Sequence, residues 1–248
     1  MSTAAPRELR LAKRMARLGT ETAFEVLVKA RALEAKGRDI VHLEIGEPDF
    51  DTPANIIGAA TDALQHGHTH YGPSAGLPQL RETIAQYVSE TRRVTATPEE
   101  VVVVPGGKPI IFFTILALVE EGDEVIYPNP GFPIYESMID FLGAKAVPIP
   151  LHEEMDFRFD VDQLAGLIND RTKLIILNSP QNPTGGMLTK EDIEGIAHAI
   201  GDRNIMILTD EIYSRLIFEG EHHSIMSLPG MKDRCILLDG FSKTYAMT

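Results

Sequence analysis

Cysteine is almost missing from this chain: its 248 residues hold one, Cys235. A lone cysteine excludes an intrachain disulfide, so a reduced, cytoplasmic compartment is the expected home. Tryptophan is absent altogether. Basic side chains are scarce, with 23 Lys and Arg against 36 Asp and Glu and a net charge of −13. That balance argues against a nucleic-acid or anionic-membrane partner. No apolar run reaches membrane-spanning length. There is no internal repeat, low-complexity tract or Gly/Ser linker. The N-terminus lacks the apolar core of a secretory signal. Instead Arg7, Arg10, Lys13, Arg14 and Arg17 are mixed with small and apolar residues, which reads as a basic amphipathic arm and less readily as a mitochondrial presequence. His66, His68 and His70 alternate, but no acidic or cysteine partner stands at a metal-site spacing, so no metal is expected.

What is present is core-forming. Hydrophobic residues make up 44% of the chain, enough for one or two domains. Thr20 to Lys36 has helical apolar spacing, with Gly37 as a stop. Val41 to Ile45 alternates like a short strand and leads into the turn-rich Gly46-Glu47-Pro48-Asp49-Phe50. A helix is expected from Pro53 to about Gln65 and another from Leu77 to Arg92. From Thr97 onward strands and helices alternate. Strands are expected at Val101–Val104, Val125–Tyr127, Ala146–Ile149, Leu174–Leu177, Ile205–Leu208 and Cys235–Leu238. Helices are expected after the loop Pro105-Gly106-Gly107-Lys108-Pro109 through about Leu118, and from Ile134 to Leu142, Asp160 to Ile168 and Lys190 to Ile200. Wholly apolar strands separated by helices predict an α/β fold, a mostly parallel mixed sheet with helices on both faces.

The chemically suggestive residues fall just after strand ends, which line one edge of an open α/β sheet. Ser242 and Lys243 follow the last strand through Gly240, which permits a sharp turn. A lysine with a depressed pKa there is a nucleophile for carbonyl carbon; otherwise it is a surface lysine. Gly106-Gly107-Lys108 opens a helix, and glycines at a helix N-terminus let the backbone approach an anion. It is not a Walker sequence, because Pro109 stands where Ser or Thr would, and a plain turn is the alternative. Asp210 ends an apolar strand and needs a cation or several donors; a structural cap is the alternative. Tyr213 lies three residues on. Asn182 sits in a stiff Pro/Gly loop, and Phe132 is an aromatic held between Gly131 and Pro133. Together these residues suit a phosphate, an acid-seeking ring nitrogen, a ring oxygen, a flat face and a carbonyl carbon. Pyridoxal 5′-phosphate carries all five.

The chain resembles a class I/II aminotransferase of pyridoxal-phosphate fold type I, in a subgroup similar to bacterial aspartate aminotransferases. The resemblance runs from about Thr20 to the last residue. It rests on Gly46-Glu47-Pro48-Asp49-Phe50, Tyr71 with Gly76 and Leu80-Arg81, Asn182-Pro183-Thr184-Gly185, Asp210-Glu211-Ile212-Tyr213 and Ser242-Lys243. It implies that Lys243 holds the cofactor as a Schiff base and then acts as general base. Asp210 would pair with the pyridinium nitrogen, Asn182 and Tyr213 would bond the ring oxygen, and Phe132 would stack on the ring. Gly106, Gly107, Lys108 and Ser242 would cradle the phosphate. Tyr71 would reach the phosphate of a neighbouring subunit, implying a homodimer. Gly46 and Asn182 would meet the substrate.

The implied reaction moves an amino group from an amino acid to a 2-oxo acid. The implied domains are residues 1–52, an arm and helix belonging to a small domain, and 53–248, an incomplete cofactor domain. Phe132 stands where many aspartate aminotransferases have tryptophan, which puts aspartate itself in question. The resemblance also implies further chain after Thr248, with a phosphate-binding arginine and a C-terminal small domain. The rival readings are a fold-type-I lyase and a non-catalytic effector-binding domain or fragment. Too few residues precede Thr20 for a DNA-binding helix-turn-helix.

Overall fold

A computed structural model describes residues 9–19 and 22–248. Five strands form one sheet: β1 (Glu124–Asn129), β2 (Lys145–Pro150), β3 (Thr172–Asn178), β4 (Met206–Asp210) and β5 (Cys235–Leu238). Their order is β2-β1-β3-β4-β5, and all four pairings are parallel. Seven longer helices accompany them: α1 (Thr22–Glu34), α2 (Ala54–Gln65), α3 (Pro78–Arg92), α4 (Gly107–Leu118), α5 (Ile134–Leu142), α6 (Val161–Leu167) and α7 (Lys190–Ile200).

Side chains alternate across a strand, so each β-run feeds two cores. Val125 and Tyr127 of β1, Leu174 and Ile176 of β3 and Leu208 of β4 pack with Ile111 and Ile115 of α4 and Tyr135, Met138 and Ile139 of α5. Ile126, Ile175, Leu177 and Ile207 face the other way. They meet Leu164 of α6 and Ile193, Ile196 and Ile200 of α7. The apolar stretches are continuous because both faces are covered. α7 is set by a capping box, in which the Thr189 hydroxyl accepts from Asp192 N–H and the Asp192 carboxylate accepts from Thr189 N–H.

Two expected strands are not strands. Val41–Ile45 and Val101–Val104 have no ladder partners, and the first ends in a bend at Glu44 and Ile45. Val103 N–H donates to Ala75 C=O and Arg81 Nε donates to Val101 C=O, so side contacts replace a ladder. Apolar, β-branched composition favours extended backbone, but a strand also needs a neighbour, and none lies alongside either run among the described residues. The helix expected from Thr20 begins at Thr22, with Thr20 and Glu21 outside the described residues.

The chain steps from β1 outward to β2, then returns to place β3 on the opposite side of β1. This reversal is the switch point of an open α/β sheet, where the loops after β1 and β3 diverge and leave a crevice.

Candidate active site

Four loops leave the C-terminal edge of the sheet and carry the expected residues. After β1 the chain turns at Pro130-Gly131-Phe132. Gly131 is required there, because a Cβ at that position would lie 2.2 Å from the Pro128 carbonyl oxygen. Phe132 is half-buried and packs edge-on against Tyr135, with ring centroids 5.9 Å apart. After β3, the loop holding Asn182 is fastened by two side chains that the sequence did not single out. Asn178 Oδ1 accepts from Asn182 N–H at 2.8 Å, while its Nδ2 donates to the carbonyls of Pro180 and Asp210. Gln181 Nε2 donates to Pro130 C=O at 2.8 Å, which ties the β3 loop to the β1 loop across the switch point. Its Oε1 accepts from both the N–H and the hydroxyl of Thr184. The Asn182 side chain itself has no protein hydrogen bond among the described residues, so its amide remains available.

Asp210 ends β4 on the α5 face. It is 4% exposed. Tyr135 Oη donates to its Oδ2 at 2.5 Å, and Ile212 N–H donates to its Oδ1 at 3.3 Å. No Lys, Arg or His pairs with it among the described residues. Burial therefore dominates and pushes its carboxyl up to about 6, against the opposing effect of Tyr135. Burial and the nearby Asp210 charge likewise raise the Tyr213 phenol. Tyr135, fully buried, is raised further by burial and by Asp210.

Lys243 follows β5. Its Nζ donates to Gly46 C=O at 2.6 Å and lies 5.7 Å from the Tyr213 ring centroid. Burial lowers its pKa, partly offset by Glu47. The Gly46–Thr52 segment is fastened over this loop a second time, by Thr52 Oγ1 donating to Ala246 C=O at 2.6 Å. Ser242 is half-buried beside Lys243, and the buried Thr244 Oγ1 has no hydrogen-bond partner.

Gly106 enters α4 at φ +90°, with open space where a Cβ would project. The α4 N-terminus has no side-chain cap, and Gly107 packs against Leu238 at the end of β5. Uncapped N–H donors are thus brought to the Lys243 exit, an arrangement that suits an anion. The Lys108 ammonium lies 6.0 Å from the Phe132 centroid and 5.8 Å from that of Phe24. Tyr71 is fully exposed and stands apart from these groups.

The arrangement fits a phosphorylated pyridine aldehyde. A buried carboxylate with no basic partner among the described residues suits a ring N–H⁺, an uncapped glycine-rich helix start suits a phosphate, and a half-buried amine suits a carbonyl carbon. Sequence reading found these groups but missed Tyr135, Asn178 and Gln181. It also missed Arg92, which is buried and bonded to Glu211 and Asp239. Tyr135 left a trace, standing three residues after Phe132 on the apolar stripe of α5.

Residues 38–248 match the family model for "Aminotransferase class I and II". An aspartate aminotransferase of Pyrococcus abyssi is 42% identical over 213 residues, covering 85% of this chain and 55% of that protein. An arginine–pyruvate transaminase of Pseudomonas aeruginosa is 39% identical, covering 91% of this chain and 58% of its own length. The solved aspartate aminotransferase of Thermus thermophilus with maleate superposes with TM-score 0.92 at 36% identity, over 97% of this chain and 62% of that one. The chain thus spans somewhat over half the length of these relatives.

Proposed function

We propose, from the premise that this chain belongs to the class I and II aminotransferases, that the whole protein moves an amino group from an amino acid to a 2-oxo acid using pyridoxal 5′-phosphate. The observation that carries this reading is the placement of Asp210, buried with no basic partner among the described residues, at the strand exit next to the one that carries the half-buried Lys243. The cofactor, when bound, supplies an electron sink for the carbanion at the substrate's α-carbon.

The protein's own groups divide the remaining work. Lys243 Nζ would hold the cofactor at its carbonyl carbon and, once released, would serve as the base for the proton on the substrate's α-carbon. Burial, which lowers its pKa, favours the neutral amine that this role needs. The Asp210 carboxylate holds the proton on the ring nitrogen, and Tyr135 keeps that carboxylate oriented by donating to Oδ2. Asn182 and Tyr213 bond the ring oxygen, and Phe132 stacks on the ring. Gly106, Gly107, Lys108 and Ser242 hold the phosphate through the α4 N-terminus and the β5 loop. Gly46, whose carbonyl accepts from Lys243 Nζ, meets the substrate carboxylate through its backbone.

Residues 1–52 act as an arm and helix of a small domain, and 53–248 as the cofactor domain. The protein works in the cytoplasm as a homodimer in which Tyr71, fully exposed here, reaches the partner's phosphate. Cys235 suits a reducing compartment, since burial pushes its thiol up to about 12 and leaves it inert. Transaminase names among the relatives favour transfer over elimination.

Borohydride reduction of the cofactor-loaded protein, followed by peptide mapping, tests the assignment. The label is expected on Lys243. A label on Lys108 or Lys190 with Lys243 unmodified would refute it.

A further inference from the structure

Asp210 and Glu211 are consecutive carboxylates at one strand exit, and strand alternation sends them to opposite sides of the sheet. Asp210 goes to the α5 side, where Tyr135 meets it. Glu211 goes to the other side and is 1% exposed. There its Oε1 accepts from the hydroxyls of Thr209 at 2.8 Å and Ser224 at 2.6 Å. Its Oε2 accepts from Arg92 Nε at 2.9 Å. The same guanidinium reaches the neighbouring strand exit, where Nη2 donates to Asp239 Oδ2 at 2.9 Å and to Ser214 Oγ at 3.0 Å. Nη1 donates to Thr91 Oγ1, and the Ser227 hydroxyl donates to the Arg92 carbonyl. Arg92 is itself 1% exposed and stands 5.6 Å from the Tyr87 ring centroid.

We propose that Arg92 is a positioning residue for the site: its fork locks the exits of β4 and β5 together, so that Asp210 and Lys243 face the same space in fixed register. This rests on the reading of those two residues given above. The backbone supports the same joint, since Glu211 N–H donates to Leu238 C=O at 2.9 Å. Asp239 Oδ1 then accepts from Gly240 N–H at 2.8 Å, which starts the turn that delivers Lys243. A planar guanidinium with donors at fixed angles can serve two carboxylates at once, whereas an ammonium cannot do so in the same geometry. Arg92 is also the only Lys or Arg paired with this group among the described residues, and it faces Glu211 and Asp239, with His222 Nε2 3.6 Å from Glu211. Burial opposes the Arg92 charge, yet Glu211 and Asp239 hold its pKa above the ordinary value.

The test uses the complete protein from its natural reading frame, in Arg92→Met, Arg92→Lys and Arg92→Met/Glu211→Gln forms. In cofactor-free protein, the Asp210 carboxyl is titrated by ¹³C NMR. Losing one buried positive charge is expected to raise its midpoint by about one pH unit in Arg92→Met. The added Glu211→Gln is expected to return most of that shift. In cofactor-loaded protein, Arg92→Lys keeps the charge and loses the fork. Its kcat is expected to fall about tenfold or more, with KM for the amino donor changed less than about threefold. Wild-type kcat in Arg92→Lys overturns the positioning role. So does an unmoved Asp210 midpoint in folded Arg92→Met. If Arg92→Met does not fold, Arg92→Lys decides. If the wild-type protein binds no pyridoxal phosphate, the functional reading fails, and the cofactor-free titration still judges Arg92.

Discussion

Asp210→Asn should make the cofactor-free protein more stable at neutral pH while destroying its use. Burial raises the Asp210 pKa from 3.8 to about 6. A raised folded-state value means that the folded protein holds this proton more tightly than the unfolded chain. The stabilisation is fully present below about pH 4 and is lost as pH rises through about 6. Above that window the ionised carboxylate weighs against folding by about 3 kcal/mol, from a shift of roughly two units at 1.36 kcal/mol each. Asparagine stays neutral throughout. It can still accept from Tyr135 through its carbonyl, but it loses the oxygen that accepts from Ile212 N–H, a cost of about 1 kcal/mol. The net gain at pH 8 is therefore about 2 kcal/mol, a rise of roughly 4–8 °C in Tm for a domain of this size. At pH 4, where the Asp210 carboxyl is neutral too, only the lost hydrogen bond remains, and the variant should be about 1 kcal/mol less stable than the parent. The assay is thermal and urea unfolding by far-ultraviolet circular dichroism at both pH values, chosen because the chain has no tryptophan. A difference between the proteins that is the same at pH 4 and pH 8 would refute the reasoning, since only an ionising group gives the pH dependence. The same variant should lose turnover, because a neutral amide cannot hold the ring proton.

Three further outcomes are expected. Tyr135→Phe removes the hydroxyl that donates to Asp210, so cofactor affinity should fall about tenfold, the equivalent of one charge-assisted hydrogen bond, by spectrophotometric titration; unchanged affinity would dismiss Tyr135. Gly131→Ala forces a Cβ against the Pro128 carbonyl oxygen at 2.2 Å, so Tm should drop and cofactor affinity should fall with it, whereas Gly58→Ala, in open space, should do neither. Glu124 is held down to about 2 by Asn169, Lys145 and Arg171; its stabilisation is present above about pH 4.5 and lost as pH falls towards 2, so Glu124→Gln should destabilise the protein at pH 7 and hardly at all near pH 2, and an equal loss at both would contradict the ion-pair account.

The elements that sequence made legible are those whose order is local. Period-3.6 apolar spacing placed α3, α5 and α7 within a residue or two, and apolar runs placed the five strands. Strand exits then located Asp210, Asn182, Lys243 and Phe132, because in an open α/β sheet position along the strand fixes the edge. Val101–Val104 misled because its composition reports an extended, half-buried segment, and pairing depends on a neighbour that composition does not describe. The Arg92 joint was beyond local reading, since its partners lie 119 and 147 residues away. One sign was present in hindsight. Arg92 continues the buried stripe of Ala85 and Val88 on α3, and a charge on an apolar stripe points to a buried partner.

β5 has four residues, three of them only partly buried, and among the described residues it is paired on one side only, to β4. Its other side carries no ladder among those residues, so local opening should cost less there than at β3 or β4, which are flanked on both sides. Amide exchange should therefore run faster along Cys235–Leu238 than along Leu174–Leu177. The lysine hangs from a strand that opens readily, whereas Asp210 hangs from one that opens later. Brief fraying of β5 would carry Lys243 away from its partners without unfolding the sheet, so the lifetime of the assembled site would be set by the edge rather than by the core.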